Sequence, residues 1–482
     1  MIGYSGTGYK GMQISGTERT IEGDLFQAFI RAGAISKANA EDPKKSSLVR
    51  CARTDKGVHA AGNMISLKLI VEDEDIVEKI NAELSPQIRV WGIERTIGSF
   101  SCYQACDSRW YEYLIPSHAF LPPHPSSWLA KQLEQLADEA NDRESYESRQ
   151  KDIQDFWPGV EASEIKPILE SIDEDLRWEV VKALQGEEEA SAKAEKIEDE
   201  ALAKPAKKKL ADEDLVAESA ESNNANPRSE QSPSDVDMER VLRLRAATKR
   251  LRNAYVGAKR RYRIPASRID RIQAALDKYV GTKNYHNYTV QKTFKDPSVK
   301  RHIKSFVVNK KPILIGEGAD EAKTEWLSLK VHGQSFMMHQ IRKMVGMVTL
   351  MVRSGADLST MDASFTEARF SIPKVPGLGL LLERPVFDTY NNFQAAKHGR
   401  EPLRFDKYEE KLEAFKESEI YQRIFREEEE RNEFGRFFNH IDNFKEPWFL
   451  YVTSMGLKAC KGYERSAPIA EVDGSDGEQE DN

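Results

Sequence analysis

The middle of this 482-residue chain cannot belong to any hydrophobic core. From Gly186 to Arg240 there is no aromatic residue, and Glu, Asp, Ala, Ser and Lys make up most of the stretch. Such a segment buries too little apolar surface to offset its chain entropy, so disorder is expected over 186–240. The acidic tail 467–482 is expected to be disordered for the same reason. The folded body must therefore be assembled from sequence on both sides of the acidic stretch. The total length predicts two or three domains.

Charge is segregated in the same way. The net charge of −8 argues on its face against a nucleic-acid partner. Yet Arg243–Lys311 carries twenty Lys and Arg against three Asp, a net +17. Tyr255, Tyr262, Tyr279, Tyr285 and Tyr288 are interleaved with these bases. Bases hold phosphates and aromatics stack on nucleobases, which points to a polyanionic partner. The competing interpretation is a solvated basic helix with tyrosines in the core. Without its acidic segments the body is basic, the footprint of a nucleic-acid binder.

Four cysteines, Cys51, Cys102, Cys106 and Cys460, form no disulfide framework, and Cys102 and Cys106 are too widely spaced for a CxxC site. A reduced intracellular protein is expected. The opening MIGYSGTGYKG is not an apolar leader. The longest apolar run, Met344–Val352, is far too short to span a bilayer, so no membrane partner is expected.

The periodicities predict an α+β pattern of strand–helix–strand units in two halves. Strands are expected in 2–14, 52–71, 88–96, 111–116, 301–308, 324–331 and 378–383. Helices are expected over Thr20–Gly33, 75–84, much of 128–184, 268–280, 336–352 and 407–439. Thr17 or Thr20 is the expected cap of the first helix and Gly33 its stop.

Four stretches carry candidate chemistry. In RCARTDKGVHAAG, residues 50–62, Asp55 lies between Arg53 and Lys56, with Gly57 allowing a sharp turn and His59 just beyond. A carboxylate held between bases stays ionised and can face an anionic substrate. Taken alone, Arg-Thr-Asp is a weak signal and an ordinary surface turn explains it as well. GYSGTGYKGMQ, Gly3–Gln13, is a glycine-rich loop expected to approach a ligand's backbone. It is no P-loop, because Lys10 is followed by Gly11 and Met12 and not by Ser or Thr. In CYQACDSRWYEYLIP, Cys102–Pro116, Tyr111 and Tyr113 share one strand face. In HGQSFMMHQIRKMVGMV, His332–Val348, Phe336, Met337, Ile341, Met344 and Val345 form a helical apolar stripe. Arg342 does not belong to that stripe. A charge in such surroundings needs a partner, and Asp55 is the natural candidate.

Six motifs in order, 3–13, 52–60, 108–116, 281–289, 333–346 and 376–382 (PGLGLLL), resemble the TruA family of tRNA pseudouridine synthases, and within it the eukaryotic, fungal-type group. The resemblance covers most of the chain. It implies two α/β layered halves with antiparallel-rich sheets meeting at a central basic cleft, plus a C-terminal helical extension. It implies isomerisation of uridine to pseudouridine in tRNA, and in the wider group in small nuclear and messenger RNA. By the same resemblance Asp55 is the catalytic nucleophile, Arg53 fills the space left by a flipped nucleotide, Tyr111 stacks on the flipped base and Arg342 salt-bridges the acid. Leu380 walls the base pocket, while Lys10, Gln13, Lys56 and His59 face the RNA. Attack at C1′ or C6, or proton removal from C2′, all remain open.

The resemblance also divides the chain into an N-terminal half 1–115, a C-terminal half 116–185 and 241–390, and an extension 391–466. It implies no cofactor, zinc being the alternative linked to some relatives, although no ligand cluster is visible. It implies a monomer, and sequence ahead of Met1 that would complete a first strand. Ala203–Leu210, AKPAKKKL, has the composition of a nuclear import signal, so a nuclear protein is expected, with cytoplasm or mitochondrion as alternatives. The competing class is an inactive RNA-binding relative, which would keep the basic cleft without the acid.

Overall fold

The structure, a computed structural model, describes residues 1–183 and 235–460. These divide into two compact units, one built from Met1–Ile153 and from Arg260 onward, the other from Gln154–Lys259. The expected import signal, most of the acidic insertion and the acidic tail lie outside the described residues. Residues 235–240, expected to be disordered, instead open the 27-residue helix Asp235–Arg261.

The first unit is organised on one large sheet. Its strands are β1 (Ile2–Tyr4), β3 (His59–Asn63), β5 (Ile88–Val90), β6 (Ser108–Pro116), β7 (Gly281–Asn284), β8 (Lys300–Val308), β9 (Ile313–Ile315), β10 (Thr324–Gly333) and β11 (Leu380–Val386). They run in the order β5-β1-β3-β11-β6-β10-β8-β7, with β9 on β10. β2 (Val49–Arg50) and β4 (Ile65–Ser66) form a separate pair. The α+β class is as expected, but strands from both halves of the sequence belong to one continuous sheet and not to two. The join is β11, parallel to β3 and antiparallel to β6. β1 lies inside the sheet, paired with both β3 and β5.

The local rules explain most elements. Thr20 caps the Ile21–Arg31 helix, its hydroxyl accepting from the Gly23 amide, and Gly33 at φ +77° ends the turn that follows. β6 places Tyr113, Leu114 and Ile115 fully out of solvent. The apolar Gln340–Arg353 helix buries twelve of its fourteen residues. The buried Arg268 guanidinium donates to the Phe120 and Val352 carbonyls and to Gln150 and Asp152, so it is a structural tie. The helices of 409–442 pack back onto the sheet. Lys416 reaches Glu383 at 2.9 Å and Tyr421 donates to Glu112 at 2.6 Å.

The tyrosines of the basic segment are not stacking platforms. Tyr262, Tyr279, Tyr285 and Tyr288 are buried. Tyr285 donates to the Tyr279 carbonyl, and Tyr255 donates to Glu161. Their spacing among the bases reflects alternation of core and surface, so the bland interpretation holds for the aromatics. In the second unit, the Asp235–Arg261 helix lays Leu251 and Ala258 on Val160, Ile165, Ile172, Leu176 and Val180.

Candidate active site

The Asp55 loop lies between β2 and β3 and is held mainly by backbone contacts. The Val58 amide donates to the Asp55 carbonyl at 3.1 Å, and Gly57 takes φ +76°, a left-handed conformation that costs glycine little. Arg109 on β6 donates to the Cys51 carbonyl at 2.7 Å, and Asn63 donates to the Ala52 carbonyl at 3.0 Å. Tyr4 and Thr54 hydroxyls meet at 2.9 Å. The glycine-rich loop explains itself here. A Cβ on Gly6 would sit 2.2 Å from the Val58 carbonyl oxygen, and one on Gly11 3.1 Å from that of Thr54. The close approach expected toward a ligand is thus an approach to the chain's own Asp55 loop.

His59 corrects an expectation. It does not face outward but is fully buried, its Nδ1 3.2 Å from both the Ser5 hydroxyl and the Gly6 amide. The amide donates, so Nδ1 accepts and must be unprotonated. β3 starts earlier than the hydrophobic pattern suggested, and this turns the imidazole into the core. Burial, helped by the Arg423 charge, pushes its pKa down to about 4 from 6.5. Between those values the unfolded chain takes up a proton that the folded one refuses. Stability from this group is therefore complete above pH 6.5 and falls as pH drops toward 4. Lowering the pH from neutral to 5 should cost about 2 kcal/mol through His59 alone. Urea titrations at both pH values check this, with His59→Gln expected to lose that part of the pH dependence.

Asp55 is partly open, with 34 % of its side chain exposed. Its Oδ2 lies 3.3 Å from Nδ1 of His339, a residue the sequence reading did not single out. Lys374 lies at 3.4 Å from the other ring nitrogen, Nε2. Burial raises the Asp55 pKa, but the His339 contact and the charges of Arg342 and Lys374 outweigh it, and the carboxyl ends below its ordinary 3.8. Arg342 donates through Nε to the Val375 carbonyl at 2.7 Å. The expected direct salt bridge from Arg342 to Asp55 is not among the ion pairs of the described residues. Arg342 acts through its field, while His339 holds the contact position.

The segment Phe336–Arg342 thus brings two stretches together. Its Phe336 ring meets Tyr111 edge-on, with centroids 5.2 Å apart, and its His339 meets Asp55. Tyr111 is buried, 8 % exposed, and burial raises its phenol pKa. In register, Leu382 opposes Tyr111 and Leu380 opposes Tyr113, so these four share one face of β6 and β11. Lys10, Arg53 and Lys56 are exposed, Lys10 lying 3.9 Å from Glu18. Gln13 is half-buried. Among the described residues no group of three His, Cys, Asp or Glu side chains could hold a metal ion, so the donor set for zinc does not fit. Among them, no helix is long and apolar enough to cross a membrane.

A sequence profile for the family described as tRNA pseudouridine synthase matches residues 275–388, which include His339, Arg342, Lys374 and Leu380. The chain is 42 % identical over 463 residues to the tRNA pseudouridine synthase 1 of Yarrowia lipolytica, covering 95 % of this chain and 77 % of that one. It is 39 % identical over 488 residues to the protein of the same name from Schizosaccharomyces pombe, covering 100 % and 89 %. It is 32 % identical over 448 residues to the tRNA pseudouridine(27/28) synthase of Saccharomyces cerevisiae, covering 93 % and 99 %.

Proposed function

The chain belongs to the tRNA pseudouridine synthase family, and on that premise we propose that it isomerises uridine to pseudouridine in tRNA with Asp55 as its catalytic carboxylate. The isomerisation is balanced within the substrate. The N1–C1′ bond breaks, the uracil turns, C5 bonds to C1′, C5 gives up its proton and N1 gains one. A carboxylate can attack C1′ or C6, or remove the C2′ proton. Every route needs an unprotonated, reachable oxygen. The observation that carries the proposal is a partly exposed Asp55 kept ionised by surrounding cations.

A base stacked in an RNA helix hides its glycosidic bond, so the nucleotide must be swung out. On this reading Arg53 occupies the vacated space, Tyr111 and Leu380 line the base pocket, and Lys10, Gln13 and Lys56 contact the RNA. The RNA lies in a basic cleft between the two halves of the sheet, a placement supported by exposed Lys10, Arg53 and Lys56 near the acid. The same site would act on accessible uridines in small nuclear and messenger RNA, and Ala203–Leu210 supports a nuclear location. The test is tritium release from tRNA labelled at uridine C5. The purified protein should release tritium without ATP, and failure to do so would refute the proposal.

The second unit supports an additional phosphate contact. Arg245, Lys249 and Arg252 are exposed at i, i+4 and i+7, opposite the face carrying Leu251 and Ala258. Reversing all three to Glu should weaken tRNA binding and flatten its dependence on log salt by roughly 2–3 units, at about 0.9 per phosphate contact. The rate at saturating tRNA should not change. Filter binding across a salt series measures the slope, and an unchanged slope removes this helix from the RNA surface.

A further inference from the structure

His339 is placed as a folding requirement alone would not place it. It takes φ +60° at the start of the Gln340–Arg353 helix, a left-handed conformation uncommon for any residue but glycine and asparagine. Such strain persists only where the surroundings enforce it. Here they do. Gln340 accepts from the Met337 amide through its side chain and donates to the Met337 carbonyl through its backbone. Thr289 donates to the Met338 carbonyl, and the His339 carbonyl accepts from Lys343. The imidazole is only 8 % exposed.

Its two nitrogens meet opposite partners. The Lys374 ammonium can only donate, so Nε2 must accept. The ring proton of the neutral imidazole then resides on Nδ1, which faces Asp55 Oδ2. Oδ1 has no hydrogen-bond partner among the described residues. We propose that His339 is a positioning residue for the reaction: Lys374 sets its tautomer, Nδ1 stands 3.3 Å from one Asp55 oxygen without yet closing a hydrogen bond, and that bond closes when the nucleoside takes the other oxygen. The proposal rests on Asp55 being the catalytic carboxylate. His339 itself moves no proton and touches no reacting atom. Its effect is to fix a carboxylate whose loop would otherwise leave the side chain several rotamers.

Two substitutions separate this role from a structural one. Both Gly and Asn accept the left-handed backbone, but only Asn carries an N–H that can reach the carboxylate. His339→Gly should lower the single-turnover rate at saturating tRNA about 100-fold, the scale expected when a reacting group is misplaced by about 1 Å. Its tRNA affinity and melting temperature should stay near those of the unaltered protein. His339→Asn should recover most of the rate, and Lys374→Met should lose part of it. Independently of activity, ¹⁵N spectra of histidine-labelled protein should show the His339 proton on Nδ1, with His339→Asn assigning the signal. A His339→Gly variant reacting at the normal rate, or a proton on Nε2, overturns the proposal while an inactive Asp55→Asn leaves the catalytic reading standing. An active Asp55→Asn overturns both.

Discussion

Asp55→Asn should bind tRNA and release no measurable tritium, with the rate falling on the order of 10⁴-fold or more. The amide is nearly the same size as the carboxylate. The loop's own hydrogen bonds run through backbone atoms and through Arg109, Asn63 and Tyr4, so they survive the change. What disappears is the negative oxygen, which an amide cannot replace either as nucleophile or as base. Affinity for RNA should hold or rise slightly, because a negative charge has been removed from a surface that faces phosphates. The sign of the pH dependence follows from the depressed pKa. The acid is ionised at every pH well above 3.8, so its titration should not limit the rate at or near neutrality. Substantial tritium release by the variant would show that the active group is not this carboxylate.

The parts of the site legible in the sequence are those set by local chemistry. Asp55 stood out because a carboxylate flanked by Arg53 and Lys56 beside Gly57 makes sense as an ionised turn. Arg342 stood out because a charge within the apolar run Phe336–Val352 required an explanation. Thr20 and Gly33 marked the bounds of their helix because capping is decided within four residues. His339 was invisible for the opposite reason. Its significance depends on a left-handed turn and on Lys374, 35 residues further along the chain. The neighbours of His59 read as a surface loop, and only the pairing of β3 with β1 turns it inward. The single sheet was equally out of reach. It depends on Leu381 pairing with His59 and Leu382 with Ala60, contacts more than 300 residues apart that no periodicity encodes. The start of the Asp235–Arg261 helix carries no sequence signal because its first turns share the acidic composition of the segment before them.

The second large effect is expected far from the acid, at the other end of the helix that carries Arg342. Arg353 and Asp442 form a two-pronged ion pair, with Nη2 to Oδ2 at 2.9 Å and Nη1 on Oδ1, and both side chains are under 10 % exposed. The guanidinium also lies over the Phe438 ring at 5.0 Å. Asp442 ends the Glu433–Asp442 helix, so this pair ties that helix to the one that begins just after His339. Asp442→Leu would leave a buried guanidinium without its counter-charge, at a cost of roughly 3–5 kcal/mol. Against a domain stability of about 5–15 kcal/mol this is enough to unfold a sizeable fraction of the protein on mild heating. Removing both charges is a different matter, because the uncompensated ion is what costs most. Arg353→Met with Asp442→Leu should recover most of the lost stability, since two apolar side chains of similar volume fill the same space. Thermal melts of the two single variants and the double variant measure this directly. Additive losses would mean that the two charges do not depend on each other. A non-additive cycle, with the double variant more stable than either single, would establish that the Glu433–Asp442 helix is a structural part of the body that holds the Arg342 helix, and that it cannot be removed without loosening the ground on which His339 stands.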